Sequence, residues 1–354
     1  MIRILLADDS VAVRGMLRKI LETEKIIEIV GTAVNGRQAV SDYQRIKPDI
    51  VLLDVEMPEM NGLEALKEIL AFDVKARIIM CSSLTKAGAA TTLAALEIGA
   101  LDYIPKPSSD GTGLSMNDFS HQLLQKIKAL AADTSNAATP AADQAKPAAP
   151  VPETYNLRPY PPLFSKAGII AIGSSTGGPQ ALFVLFESLR NAHPKVPIVV
   201  TQHMPPTFTR LLAEHITEKT GMRAFEAEEG MYLQDGCIYI APGNWHMEIV
   251  RDAKGLKVHL SDAPQENYCR PSVDVMFRSL YNANIPNVLA VMLTGMGSDG
   301  LEGSRLLMSR GNILLGQDEK TSVVWGMPAA VARAGLCSAI LPLEDMANNI
   351  RRYL

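Results

Sequence analysis

The chain has 354 residues, 34 Lys and Arg against 38 Asp and Glu, and a formal net charge of −4 at neutral pH. That length predicts two domains, each able to bury its own core, and the mild negative balance excludes an extended nucleic-acid surface, which needs clustered basic residues. The four cysteines (Cys81, Cys237, Cys269 and Cys337) lie far apart with no C-x-x-C spacing, which predicts reduced, mostly packed thiols in a cytoplasmic protein. No apolar stretch approaches the roughly 18 residues needed to cross a bilayer. The start, MIRILLADD, lacks the pattern of a signal peptide, so no membrane insertion is expected.

Residues 1–130 alternate between short aliphatic runs and helical stripes. Strands are predicted at 2–7, 27–33, 49–53, 77–81 and 101–104, with helices between them, for example at 11–21 and 36–46. The last helix carries a stripe of Phe119, Leu123, Leu124, Ile127 and Leu130, which suits packing on a sheet. Strand followed by helix, repeated, predicts a doubly wound, five-stranded parallel sheet of flavodoxin-like type, whose ligands bind beyond the carboxyl ends of the strands. Residues 131–162 collapse into Ala, Pro, Thr, Asp and Gln. They read as a tether of about 30 Å mean span. Residues 163–354 resume the alternation, with strands predicted at 168–173, 197–201, 237–241, 288–293, 313–316 and 338–341 and a β-hairpin at 247–250 and 256–260. This is a second α/β domain with a mostly parallel sheet.

In the first domain Asp8, Asp9 and Asp54 gather at the ends of two predicted strands. Such carboxylates repel one another unless a cation sits among them, and their hard oxygens suit Mg²⁺. With the metal in place one carboxylate becomes a nucleophile toward a phosphoryl group. Asp54, closing the middle strand, is the best placed. Lys106 supplies a positive charge for the phosphoryl oxygens, and a cis bond to Pro107 would fix its direction. Ser82 offers a hydroxyl after the fourth strand. With DVEMP (54–58), Asn61-Gly62 and GALDY (99–103), these residues resemble the receiver domain of two-component response regulators. The resemblance implies phosphorylation of Asp54 by a histidine kinase, Mg²⁺ at Asp8, Asp9 and Asp54, and signalling through Ser82 and Tyr103.

The second domain opens with GSSTGGP (173–179), a G-x-S-x-G pattern directly after a strand and before a helix starting near Pro179. A strand-to-helix turn exposes a serine oxygen and aims backbone N–H groups at it. Ser175 is therefore the candidate nucleophile. Of the six histidines, His203 closes the next strand and is favoured as general base; His246 is held in reserve. Asp299, in the loop after the strand at 288–293, is the candidate acid to orient the imidazole. The order Ser–His–Asp disfavours an α/β-hydrolase, where the histidine comes last. A competing pattern overlaps the last motif: Gly295, Gly297 and Gly300 match a dinucleotide fingerprint, with Asp318 about 20 residues on. Against it, Asp299 would place a negative charge inside a pyrophosphate loop.

GSSTGGP, TQHMP (201–205), APG (241–243), CRPSVDV (269–275), LTGMGSDG (293–300) and WGMP (325–328) together resemble the chemotaxis protein-glutamate methylesterases. The resemblance implies Ser175 as nucleophile, His203 as base, Asp299 as orienting acid, and backbone N–H groups of Thr176 and Met296 in the oxyanion hole. It implies hydrolysis of γ-glutamyl methyl esters, and deamidation of glutamines, on methyl-accepting chemoreceptors, with no cofactor in the catalytic domain. Two rival classes remain, a receiver joined to a DNA-binding effector and a cofactor-dependent oxidoreductase. The first lacks a compact basic helix-turn-helix, and the second rests on the glycine fingerprint alone.

Overall fold

β-Branched and aliphatic runs build two separate parallel sheets. The computed structural model describes residues 1–83, 85–107, 115–132, 155–164 and 166–354, and the chain divides into two compact units, Met1–Ala132 and Asp133–Leu354. The first unit runs β1 (Ile2–Ala7), α1 (Val11–Leu21), β2 (Ile27–Ala33), α2 (Gly36–Ile46), β3 (Ile50–Asp54), α3 (Gly62–Phe72), β4 (Ile78–Ser82), α4 (Lys86–Ile98), β5 (Asp102–Pro105) and α5 (Met116–Ala132). Its strands lie in the order β2-β1-β3-β4-β5, all parallel. β3 and β4 are buried along their whole length, as strands covered on both faces must be. The order reverses between β1 and β3, which opens the crevice where such sheets bind ligands.

Short polar residues after the strands start the helices. Ser10, Asn35, Asn61 and Thr85 each accept a hydrogen bond from a first-turn N–H, satisfying amides that a helix leaves unpaired, at about 1 kcal/mol each. Asn61 and Glu64 close a capping box. Two details depart from expectation. Strands β3 and β4 run one residue further than the apolar pattern, because Asp54 still pairs with Cys81 and Ser82 with Pro105. The Lys106–Pro107 bond is not cis; among the described residues the cis bond is Arg270–Pro271.

The second unit runs β6 (Ile169–Ser174), α6 (Gly178–Leu189), β7 (Ile198–Gln202), α7 (Phe208–Thr220), β8 (Arg223–Glu226), β9 (Cys237–Ile240), β10 (His246–Asp252), β11 (Gly255–Ser261), α8 (Val273–Asn282), β12 (Val288–Met292), α9 (Leu301–Ser309), β13 (Ile313–Gln317), α10 (Met327–Arg333), β14 (Ala339–Leu341) and α11 (Leu343–Arg351). Seven strands form a parallel sheet in the order β14-β13-β12-β6-β7-β9-β8. β8 was not expected from the pattern; it is an edge strand whose residues alternate between buried and exposed. β10 and β11 form the anticipated hairpin, its turn held by Asp252 Oδ1, which accepts from the Lys254 and Gly255 amides. The chain leaves β6 toward β7 on one side and returns through β12 on the other, so β6 stands at the switch point.

Both described ends of the predicted tether make structured contacts. At one end residues 131–132 complete α5, with Ala131 buried. At the other, Tyr155 meets Trp325 edge-on at 5.5 Å, and Arg158 bonds the carbonyls of Cys337 and Met308. An aromatic ring and a guanidinium find partners there that the Ala- and Pro-rich stretch lacks. Positions 133–154 of the predicted tether lie outside the described residues.

Candidate active site and phosphoryl-acceptor site

In the first unit Asp8 and Asp9 leave β1 and Asp54 closes β3, so ligand oxygens from all three lie within 4.8 Å of one another. Lys106, just past β5, places Nζ 2.8 Å from Asp8 Oδ2 and 2.8 Å from Asp54 Oδ1. Burial pushes the Asp54 carboxyl up to about 6, although Lys106 pulls the other way. Lys106 itself is raised: burial opposes its charge, but the two carboxylates outweigh that. Buried Asp8 Oδ2 receives no well-directed hydrogen bond and has only the Lys106 ammonium beside it. One ammonium thus serves two buried carboxylates, with Asp9 beside them. Buried carboxylates that share a single ammonium, in an all-oxygen donor set, fit Mg²⁺, which takes few carboxylates and keeps waters.

A cavity of about 200 Å³ adjoins these groups, lined by Asp9, Asp54, Val55, Glu56, Ser83 and Lys106. Ser83, which the sequence reading passed over, lines it directly. The Ser82 hydroxyl donates to the Ser83 carbonyl at 3.0 Å. Tyr103 is buried, and burial followed by Asp102 raises its phenol well above the ordinary value.

In the second unit the three candidates come from the carboxyl ends of three adjacent strands, Ser175 after β6, His203 after β7 and Asp299 after β12. Ser174 pairs with Gln202 in the β6–β7 ladder, and the His203 amide donates to the Ser174 carbonyl at 3.1 Å, so Ser175 and His203 follow one another across the strand ends. The Ser175 amide donates to the Thr294 carbonyl at 3.0 Å, and Gln202 Nε2 donates to the Ser175 carbonyl at 2.9 Å. Gly177 turns the chain into α6 with φ of 74°, a left-handed conformation that glycine adopts without strain. Gly295 abuts the serine: a Cβ there would fall 2.9 Å from Ser175 Cβ. The Gly295–Met296 turn and the Thr176 backbone therefore flank the serine.

Asp299 is 2% exposed. Its Oδ2 meets His203 Nε2 at 2.7 Å and accepts from the Val273 amide at 2.6 Å. Its Oδ1 accepts from Ser272 Oγ, Asn267 Nδ2 and the Gly300 and Asp274 amides. Burial opposes the charge, but the His203 bond and these donors win, holding the carboxyl below its ordinary range. Burial likewise opposes a charged His203, yet Cys269 and Asp299 outweigh it and raise the ring to about 10. The Cys269 contact is 3.4 Å from Sγ to Nδ1. His203 and Asp299 thus touch, and the two ring nitrogens face Asp299 and Cys269, with no hydrogen bond from the ring to the Ser175 hydroxyl.

The alternatives fare differently. Buried His246 accepts from the Ser272 amide at Nδ1 and donates from Nε2 to the Pro264 carbonyl, so both nitrogens are engaged in packing. In the glycine fingerprint the Gly300 amide already serves Asp299, and Asp318 caps a turn through Thr321. Cys269, Ser272 and Asn267 were not singled out by the sequence; the signal was their place in or beside the CRPSVDV motif.

A parallel α/β unit with an acidic crevice, followed by a second whose polar residues gather at a switch point, is the plan of a response regulator with an enzymatic output. The response regulator receiver domain profile matches residues 4–116, and the CheB methylesterase profile matches residues 170–350. The chain is 46% identical to a protein of Nocardioides sp. named protein-glutamate methylesterase/protein-glutamine glutaminase, covering 100% of this chain and 95% of that one. It is 44% identical to one of the same name from Azospirillum brasilense, covering 99% and 92%. The crystal structure of the Thermotoga maritima CheB methylesterase catalytic domain is similar at 33% identity and a TM-score of 0.51, covering 53% of this chain and all of that one. The chain belongs to the CheB methylesterase family, with a receiver domain ahead of the methylesterase domain. No helix among the described residues is long and apolar enough to cross a membrane.

Proposed function

We propose that this chain is a cytoplasmic, phosphorylation-regulated hydrolase that demethylates γ-glutamyl methyl esters, and deamidates glutamines, on chemoreceptor cytoplasmic helices. The observation that carries this reading is the 2.7 Å contact between His203 and Asp299, at strand ends flanking the one that presents Ser175. Asp299 holds Nε2, so Nδ1 is the nitrogen that takes the Ser175 proton. Ser175 Oγ attacks the ester carbonyl carbon, with backbone N–H groups of Thr176 and Met296 bonding the developing oxyanion; one such donor is worth roughly 3 kcal/mol. The proton on His203 passes to the leaving oxygen and methanol departs. Water, deprotonated by the same nitrogen, then opens the acyl-serine ester and frees the glutamate. From glutamine the leaving group is ammonia.

In the receiver, Asp54 is the phosphoryl acceptor from a histidine kinase. Asp8, Asp9 and Asp54 would hold Mg²⁺, which offsets the charge of the transferring group. Lys106 pairs with the phosphoryl oxygens, and Ser82 and Tyr103 transmit the change. The test is methanol release from methylated receptor by the full chain, with and without a phosphoryl donor. Ser175→Ala should slow release by at least about 10³-fold, and near-wild-type release would refute the assignment.

A further inference from the structure

Cys269 occupies the one imidazole nitrogen that Asp299 leaves. Its Sγ lies 3.4 Å from His203 Nδ1, while Nε2 is held by Asp299. A tight turn puts the sulfur there. Glu266 and Cys269 exchange both backbone bonds, at 2.9 and 3.1 Å, and the residues between them, Asn267 and Tyr268, have φ of 54° and 61°. This is the φ pattern of a type I′ turn, which usually ends in glycine. Tyr268 in that conformation is strained, and such strain persists only where the surroundings over-determine it. Here they do: Asn267 Nδ2 reaches both Asp299 Oδ1 and Asp274 Oδ2 at 2.9 Å, and Glu266 takes a two-pronged bond from Arg278. The carboxylate that orients His203 on one side therefore braces, through Asn267, the turn that sets the sulfur on the other.

We propose that Cys269 is a positioning residue of the hydrolase: its sulfur restrains the His203 ring through Nδ1 and must release that nitrogen before Ser175 can be deprotonated. The proposal rests on the reading of Ser175, His203 and Asp299 as the reacting set. Asp299 and Cys269 touch the ring; Asp274, Glu266 with its partner Arg278, and His246 stand behind them. A ring whose Nδ1 proton is shared with sulfur keeps that proton to higher pH than Asp299 alone would dictate.

The experiment uses the full chain with isotopically labelled histidine, assigning His203 by its loss in His203→Gln, and follows the ring titration by NMR beside the pH profile of kcat/KM for methanol release. In Cys269→Ala the titration midpoint and the rising limb should both fall by about one pH unit, and Cys269→Ser should fall between. A midpoint that stays in place, or rises, in both variants overturns the proposal. Failure of the hydrolase reading has a different signature: the midpoint shifts as expected, but Ser175→Ala still releases methanol at the full rate.

Discussion

The Val273 amide donates to Asp299 Oδ2 at 2.6 Å, which places the carboxylate that holds His203 at the open N-terminus of α8. Ser272, at the cap position of that helix, makes no capping bond of its own and instead donates to Asp299 Oδ1. A residue from the loop after β12 thus caps a helix that precedes it in the chain, and the helix amides in turn keep the acid ionised. Asp299→Asn keeps the shape but turns an acceptor atom into a donor against these amides. We expect hydrolysis to fall by about 10³–10⁴-fold and the second unit to lose about 1–3 kcal/mol. Methanol release and denaturant unfolding check both; a loss under tenfold with unchanged stability would contradict the arrangement.

Stability and activity should respond to pH in opposite directions. The ring of His203 is raised from 6.5 to about 10, so its contribution to stability is fully present below 6.5 and is lost as pH rises toward 10. Asp299 is lowered from 3.8, so its contribution is present above that value and is lost as pH falls below it. The pair therefore stabilises most between roughly pH 4 and 6.5, whereas a general base must be neutral, so hydrolysis climbs through the alkaline side. Thermal unfolding of wild type and His203→Gln across pH tests this. Their stability difference should shrink from pH 6.5 to pH 10; a constant difference would remove His203 as its source.

The receiver offers a metal-linked prediction. Lys106 is the ammonium between Asp8 and Asp54, and both carboxylates are buried. Lys106→Met leaves them facing each other, at a cost of about 3 kcal/mol in the absence of metal. Millimolar Mg²⁺ should recover most of that loss, because a divalent cation supplies the missing charge at the same oxygens. Unfolding of the receiver unit in EDTA and in Mg²⁺ measures the difference, and equal destabilisation in both would argue against a cation among Asp8, Asp9 and Asp54.

The strand-end placement of Asp54, Ser175 and His203 was legible because aliphatic runs announce buried parallel strands and the functional residue follows each run. The partners of Asp299 were not. Ser272, Val273 and Asn267 reach it from a segment about 30 residues upstream, and no periodic pattern connects a loop to the first turn of a distant helix. Cys269 was hidden for a related reason. Its direction comes from two left-handed residues, one of them a tyrosine, where the usual turn signal of Asn-Gly is absent. β8 escaped because an edge strand with alternating exposure resembles a polar loop, and Tyr155 and Arg158 because their partners lie far along the chain.

Thiol access gives the last prediction. Cys81, Cys237 and Cys337 are buried, whereas Cys269 is partly open. Burial pushes Cys81 and Cys337 up to about 12, each disfavoured as a thiolate, and only the thiolate is an effective nucleophile. Iodoacetamide should therefore alkylate Cys269 first in the folded chain, the sulfur displacing iodide to form a thioether. The added group stands against His203 Nδ1 and should suppress methanol release in step with labelling. Peptide mass spectrometry and an activity time course, run together, read both quantities. Modification of a buried cysteine ahead of Cys269, or full labelling of Cys269 with activity retained, would show that the sulfur and the imidazole are not neighbours in the working enzyme.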